Sequence, residues 1–291
     1  LAHEALAAFY KPGRKRGPHP AETFGKLWDN SPISDQYDDD GERLESRDLG
    51  IAMMQGSVAL YGTQEPIETI APEMPSQTDI HDDNGKYLCT FVGSFDAVFR
   101  DLDTGHLGML EHKTGKRIEQ VTVNSKYGEQ GISYAWASMV WLRHHGLLQE
   151  REVLRQVRFN WLRKGMPDTR PENENGLKLN LPSKEILQAN CELQGLNSKG
   201  TKEVLIQRLE DEGIDTDQLG EVSAKQPAPL YVRQDLVFGE MELVNWLKRI
   251  RAEAWEMRQV RLGRIPVYKN PGESCKFCAF TDVCEIHEMG G

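Results

Sequence analysis

The stretch GSFDAVFRDLDTGHLGMLEHKTG, residues 93–115, reads as a β-hairpin that carries charge among its apolar residues. Phe95, Ala97 and Val98 on one side and Leu107, Met109 and Leu110 on the other mark two strands, predicted over residues 87–100 and 106–113. Asp103-Thr104-Gly105 supplies the turn chemistry between them. A turn centred there sets Asp96 opposite Leu110 and diagonal to Glu111. Because side chains alternate along a strand, Glu111 and Lys113 share one face and His112 points to the other. Two carboxylates and an ammonium therefore converge. Hard divalent cations take carboxylate oxygens, backbone carbonyls and water, and a neighbouring lysine can orient an attacking water. Phosphodiester hydrolysis calls for that set of groups, whereas a plain solvated ion-pair face is the alternative.

The remainder of the chain bounds what such a cluster can belong to. A length of 291 residues and a hydrophobic fraction of 38% suit one large domain or two smaller ones with a proper core. No apolar run is long enough to span a bilayer and no basic-then-apolar leader is present, so the expectation is a cytoplasmic protein without membrane contact. The chain opens inside a helix without an initiator Met, which leads us to expect residues upstream. A net charge of −10 argues against a generic polyanion binder and leaves nucleic-acid contact to local basic patches. One such patch is Lys11, Arg14, Lys15 and Arg16, read as a solvated mobile loop or a contact to a DNA backbone.

Along the chain, LAHEALAAFYK is a helix stopped by Pro12-Gly13. Residues 50–83 are mixed, with a helical start in IAMMQGSVALYG and a Pro-rich loop after it. After the hairpin, Ile132, Trp136, Met139 and Val140 repeat at helical spacing in GEQGISYAWASMVWLRHHG. EVLRQVRFNWLRKG is a strand with Val153, Val157, Phe159 and Trp161 on one face and Arg158 on the other. The polar linkers MPDTRPENENG and DTDQLGEVSAKQPAP enclose a separate unit, residues 183–213, of two short helices. Its expected core is Leu187, Leu193, Leu196, Val204, Leu205 and Leu209. A final amphipathic helix runs through Leu243, Trp246, Leu247, Ile250 and Met257.

Asp96 followed by Glu111-His112-Lys113 resembles the core motif of the PD-(D/E)XK nucleases. Gln130 and Tyr134, spaced to share a face of the next helix, and His3 in the opening helix make the chain similar to the RecB-like branch. That resemblance implies a restriction-endonuclease-like α/β fold, a mixed sheet flanked by helices. It implies that His3, Asp96, Glu111 and the backbone carbonyl of His112 bind Mg²⁺ or Mn²⁺. Lys113 would position the water, and Gln130 and Tyr134 would contact DNA near the scissile phosphate.

Cys275, Cys278 and Cys284 stand in a C-x2-C-x5-C arrangement near the end of the chain, and three converging thiolates suit either zinc or an iron–sulfur cluster. The resemblance to RecB-like iron–sulfur nucleases implies a 4Fe–4S cluster with a fourth cysteine upstream of Leu1. Cys89 and Cys191 read as small core residues. Within residues 183–213, Gly195-Leu196, Gly200, Lys202, Leu205 and Arg208-Leu209 resemble a SAP domain, which implies that Lys199, Lys202 and Arg208 face DNA phosphates. A protein-binding helical hairpin is the alternative. GLNSKGTK lacks the GK[ST] ending and preceding strand of a phosphate-binding loop, so nucleotide binding is set aside.

The organisation expected is a nuclease core in two parts, residues 1–165 and 230–291, interrupted by a helical module at 183–213. The expected function is metal-dependent cleavage of DNA, single-stranded or with a free end. It would be exonucleolytic, in recombination, repair or DNA processing, with a helicase or recombination protein as partner. The alternative is a catalytically inactive DNA-binding adaptor that keeps the fold.

Overall fold

The computed structural model describes residues 1–62, 64–118, 129–149, 152–154 and 156–266. Its centre is a sheet of strands β1 (Ile67–His81), β2 (Tyr87–Asp101), β3 (Leu107–Gly115), β4 (Gln156–Arg163) and β5 (Tyr231–Val237), ordered β1-β2-β3-β4-β5. The β1–β2, β2–β3 and β4–β5 pairs are antiparallel, while β3 and β4 run parallel. A parallel pair needs a crossover, and helix α4 (Glu129–His144) lies in that connection. β3 and β4 are buried on both faces, which is why LGMLEH and VRFNWL read as nearly continuous apolar runs.

Alternating side chains feed two cores. Val98, Met109, Val157, Phe159 and Trp161 pack on one side with Trp136 of α4 and Trp246 of helix α7 (Glu240–Arg261). Ala97, Phe99, Leu110 and Leu162 pack on the other with helices α1 (Ala2–Phe9), α2 (Pro20–Asp29) and α3 (Asp40–Ser57). The result is a mixed sheet between two helical layers. Among the described residues no helix is long and apolar enough to cross a membrane.

Several expectations are corrected. The Pro-rich loop is β1, a strand at the sheet edge: Pro72 and Pro75 pair with Ala97 and Ser94, and proline is tolerated where one side of a strand has no neighbour in the ladder. Glu73, between them, takes a positive φ of 35°. The basic loop is held at this edge, with Gly13 and Thr69 exchanging backbone hydrogen bonds at 2.8 and 3.0 Å. Arg16 turns inward to donate to the carbonyls of Gly62 and Glu65 at 3.2 Å, so it is not a solvated loop cation. The hairpin register is one residue away from the expected one, since Leu110 faces Ala97 rather than Asp96. The Asp101 carboxylate accepts from the Asp103 and Thr104 amides and from the Thr104 hydroxyl, which moves the centre of the turn. Asp96 thus lies one step beyond the last β2–β3 pair, level with Glu111. Helix α3 begins eleven residues before the expected helical start at Ile51, and α2 and β5 were not anticipated. On α7, Met257 is 72% exposed instead of packed.

Between β4 and β5 the chain builds helices α5 (Lys184–Leu193) and α6 (Lys202–Asp211). They enclose a small core of Leu187, Cys191, Leu205 and Leu209, with Leu196, Ile206, Ile214 and Leu219 against it. Leu193 and Val204, expected inside, are exposed, and their places are taken by Cys191 and by residues beyond position 213. The two flanking linkers are joined to each other: Leu179 bridges Val222, the Asn180 amide donates to Glu221 and the Ser223 amide to Lys178. Arg170 adds bonds to Asp168, Ser223 and the Lys225 carbonyl. These segments form a two-stranded neck.

Candidate active site

Four elements, α1, β2, β3 and α4, bring the motif residues together. Helix α1 buries Ala5, Leu6 and Phe9 against the sheet, and this leaves His3, near its start, turned toward the point where β2 parts from β3. There His3 Nδ1 lies 2.7 Å from Asp96 Oδ1. The other carboxylate oxygen of Asp96 accepts the backbone N–H of His112 at 2.5 Å, so Asp96 ties α1 to β3. On β3, Lys113 Nζ donates to Glu111 Oε1 at 2.5 Å, while Gln130 Nε2 from the first turn of α4 stands 3.5 Å from that oxygen. Tyr134 comes one turn later and packs its ring edgewise on Phe95, with centroids 6.3 Å apart. Of the two helix residues it is Gln130 that reaches the carboxylate. The alternation holds: the His112 ring is buried on the far side of the sheet, tilted against Tyr10 at 5.4 Å.

The electrostatics separate the two carboxylates. Burial pushes the Glu111 carboxyl up, and the charge of Asp96 adds to this, to about 7 in spite of the nearby Lys113. Burial also works against an ionised Asp96, but the hydrogen bond from His3 and the charges around it bring Asp96 below the usual carboxylate range. The same bond to Asp96 raises His3. Burial lowers His112 to about 4, which keeps its ring neutral.

A divalent ion can be tested against these groups. Among the described residues no three His, Cys, Asp or Glu side chains form a ready metal cage; His3 is engaged with Asp96, and Lys113 with Glu111. Yet the buried Glu111 Oε2 has no hydrogen-bond partner. A buried acceptor without a donor is costly, and a cation beside two carboxylates would relieve both that cost and their repulsion. The imidazole, carboxylate and carbonyl donors suit Mg²⁺ or Mn²⁺, so the residues present fit such an ion.

Other expected site residues lie elsewhere. Arg208 donates to the carbonyls of Asn197 and Lys199 at 2.6 and 2.7 Å and pins the loop between α5 and α6. Lys199 is exposed and Lys202 half-buried. Cys275, Cys278 and Cys284 lie outside the described residues. Sequence reasoning overlooked Asn160, whose amide sits 3.5 Å from His112 Nδ1, and Arg233 and Glu65 behind it. The available signal was a lone asparagine inside the apolar run RFNWL.

No curated protein matches the chain. A family model described as the PD-(D/E)XK nuclease superfamily matches residues 1–285, a span that includes every motif residue above. A carboxylate where β2 parts from β3, a glutamate and a lysine on the same face of β3, and a match over nearly the whole length agree: the chain belongs to the PD-(D/E)XK nuclease superfamily.

Proposed function

We propose that the protein is a Mg²⁺- or Mn²⁺-dependent deoxyribonuclease of the RecB-like kind, acting exonucleolytically on DNA with a free end. The observation that carries this reading is the meeting of His3, Asp96, Glu111 and Lys113 around a buried Glu111 oxygen that lacks a partner. His3, Asp96, Glu111 and the His112 carbonyl would hold the ion. Such an ion, when bound, polarises a phosphoryl oxygen and makes water a competent nucleophile near neutral pH. Lys113 orients the attacking water and offers positive charge to the phosphate as negative charge develops there. Gln130 and Tyr134 steer the strand toward these groups. Lys199 and Lys202 neutralise phosphates away from the chemistry, while Arg208 keeps the loop between α5 and α6 in shape. Cys275, Cys278 and Cys284 hold a 4Fe–4S cluster, with zinc as the other ligand their thiolates would accept.

The test is digestion of end-labelled single- and double-stranded DNA with Mn²⁺, beside Glu111→Ala. We expect shortening from an end by the wild type, loss of cleavage in the variant, and DNA binding kept in both. Binding without cleavage by the wild type would instead favour the inactive adaptor.

A further inference from the structure

His112, Asn160 and Arg233 are direct cross-strand neighbours, His112 facing Asn160 across β3 and β4 and Asn160 facing Arg233 across β4 and β5. They make a polar row through the middle of the sheet, on the face where Leu110 and Leu162 join the core with α1 and α3. Each step is bonded. Arg233 Nε donates to Asn160 Oδ1 at 2.8 Å, and Asn160 Nδ2 lies 3.5 Å from His112 Nδ1. Arg233 Nη1 donates at 2.7 Å to Glu65, which is 3% exposed and also accepts from Arg158 at 2.8 Å and from the Tyr10 hydroxyl at 3.3 Å.

The direction of the row follows from the chemistry of its members. Arginine can only donate, so the Asn160 oxygen must face Arg233 and its NH₂ must then face His112. His112 Nδ1 is thereby an acceptor, which fixes the tautomer and the plane of the ring. A buried polar row is not a cheap way to stabilise a sheet, since apolar residues of the same size do as well or better. Its position suggests what it does instead. The peptide of His112 carries the N–H that holds Asp96, and it is flanked by Glu111 and Lys113. A small rotation of this peptide displaces all three.

We propose that Asn160, Arg233 and Glu65 are positioning residues of the nuclease site, holding the His112 ring from behind so that the motif strand presents its ligands in one geometry. The proposal rests on the metal-site reading above. None of the three touches the reacting groups; they act through His112.

Binding of Mn²⁺ alone, measured by calorimetry, tests it on the full chain. Asn160→Leu keeps the branched shape and removes both bonds. Outer groups that orient metal ligands are generally worth tenfold or more in metal affinity, so we expect Mn²⁺ binding weakened roughly 10-fold, with metal-free DNA binding unchanged. Leu162→Ala, two residues on in β4 and in the same core, should lower thermal stability and leave Mn²⁺ affinity alone. Equal Mn²⁺ affinity in Asn160→Leu and wild type, or an equal loss in Leu162→Ala, overturns the proposal. Should Asn160→Leu not fold, Glu65→Gln takes its place: it keeps the shape and weakens the hold on Arg233. We then expect Mn²⁺ binding weakened by about 3-fold, a smaller loss because the change is remote from His112, and unchanged affinity overturns the proposal. A wild type that binds no Mn²⁺ refutes the metal site itself and this proposal with it, an outcome distinct from equal binding by both proteins.

Discussion

Glu111→Gln should make the metal-free protein more stable at alkaline pH while abolishing cleavage. The Glu111 side chain is 5% exposed, and burial, followed by the charge of Asp96, raises its carboxyl from 4.5 to about 7. The folded chain therefore holds this proton more tightly than the unfolded chain does. The resulting stability is fully present below about pH 4.5 and is lost as pH rises through about 7, beyond which the carboxylate sits ionised at a cost. At ~1.4 kcal/mol per pH unit the difference is worth about 3 kcal/mol. Glutamine keeps the shape and an acceptor for Lys113 without the ionisation. Melting in EDTA should thus show the variant level with wild type near the acid end. Near pH 8.5 it should be above wild type by roughly 6–12 °C, at about 2–4 °C per kcal/mol for a chain of this size. Saturating Mn²⁺ should raise the wild type at that pH and not the variant. Melting curves of the two proteins that stay parallel from pH 5 to pH 8.5 would refute the reasoning.

Four further outcomes are expected. The His3–Asp96 bond contributes between the depressed Asp96 value and the raised His3 value, fading as pH falls through the first or rises through the second. His3→Ala should therefore lower the melting temperature in EDTA most in mildly acidic buffer and least near pH 9. A Cβ at Gly50 of α3 would collide with the Phe24 ring of α2, so Gly50→Ala should cost about 1–3 kcal/mol in denaturant unfolding. Replacing Lys199 and Lys202 by Ala should weaken DNA binding and flatten its log–log salt dependence by about 0.9 for each phosphate that is no longer neutralised. Cys278→Ser should lower iron content and thermal stability together in anaerobic preparations, and stoichiometric zinc without iron would replace the cluster reading.

The motif hairpin was legible because its information is local. Apolar alternation marked β2 and β3, and the two-residue period put Glu111 and Lys113 on one side and His112 on the other. The register was missed by one residue because it depends on the Asp101 carboxylate gathering the turn amides, a choice among several similar turns. β1 was hidden by Pro72 and Pro75, which argue against a strand until its place at the sheet edge is known. The partners of His112 were beyond reach for a different reason. Asn160 is opposite it only because β3 and β4 pair in parallel, and Arg233 comes from a strand 73 residues further on. Spacing placed Gln130 and Tyr134 on one face, but which of them meets Glu111 depends on how α4 is docked.

β4 and β5 are immediate neighbours, paired down to Leu162 and Tyr231, with the Arg163 amide closing the last rung on the Leu230 carbonyl at 2.8 Å. Everything between them, neck and α5–α6 unit together, is topologically one enlarged hairpin loop. The entropy of closing a loop grows only as the logarithm of its length, so exchanging this one for a tight turn changes folding free energy by about 2–3 kcal/mol. The position is therefore a socket. The chain between Arg163 and Leu230 can be lengthened, shortened or replaced while the two strands stay paired and the motif residues on β2 and β3 keep their places.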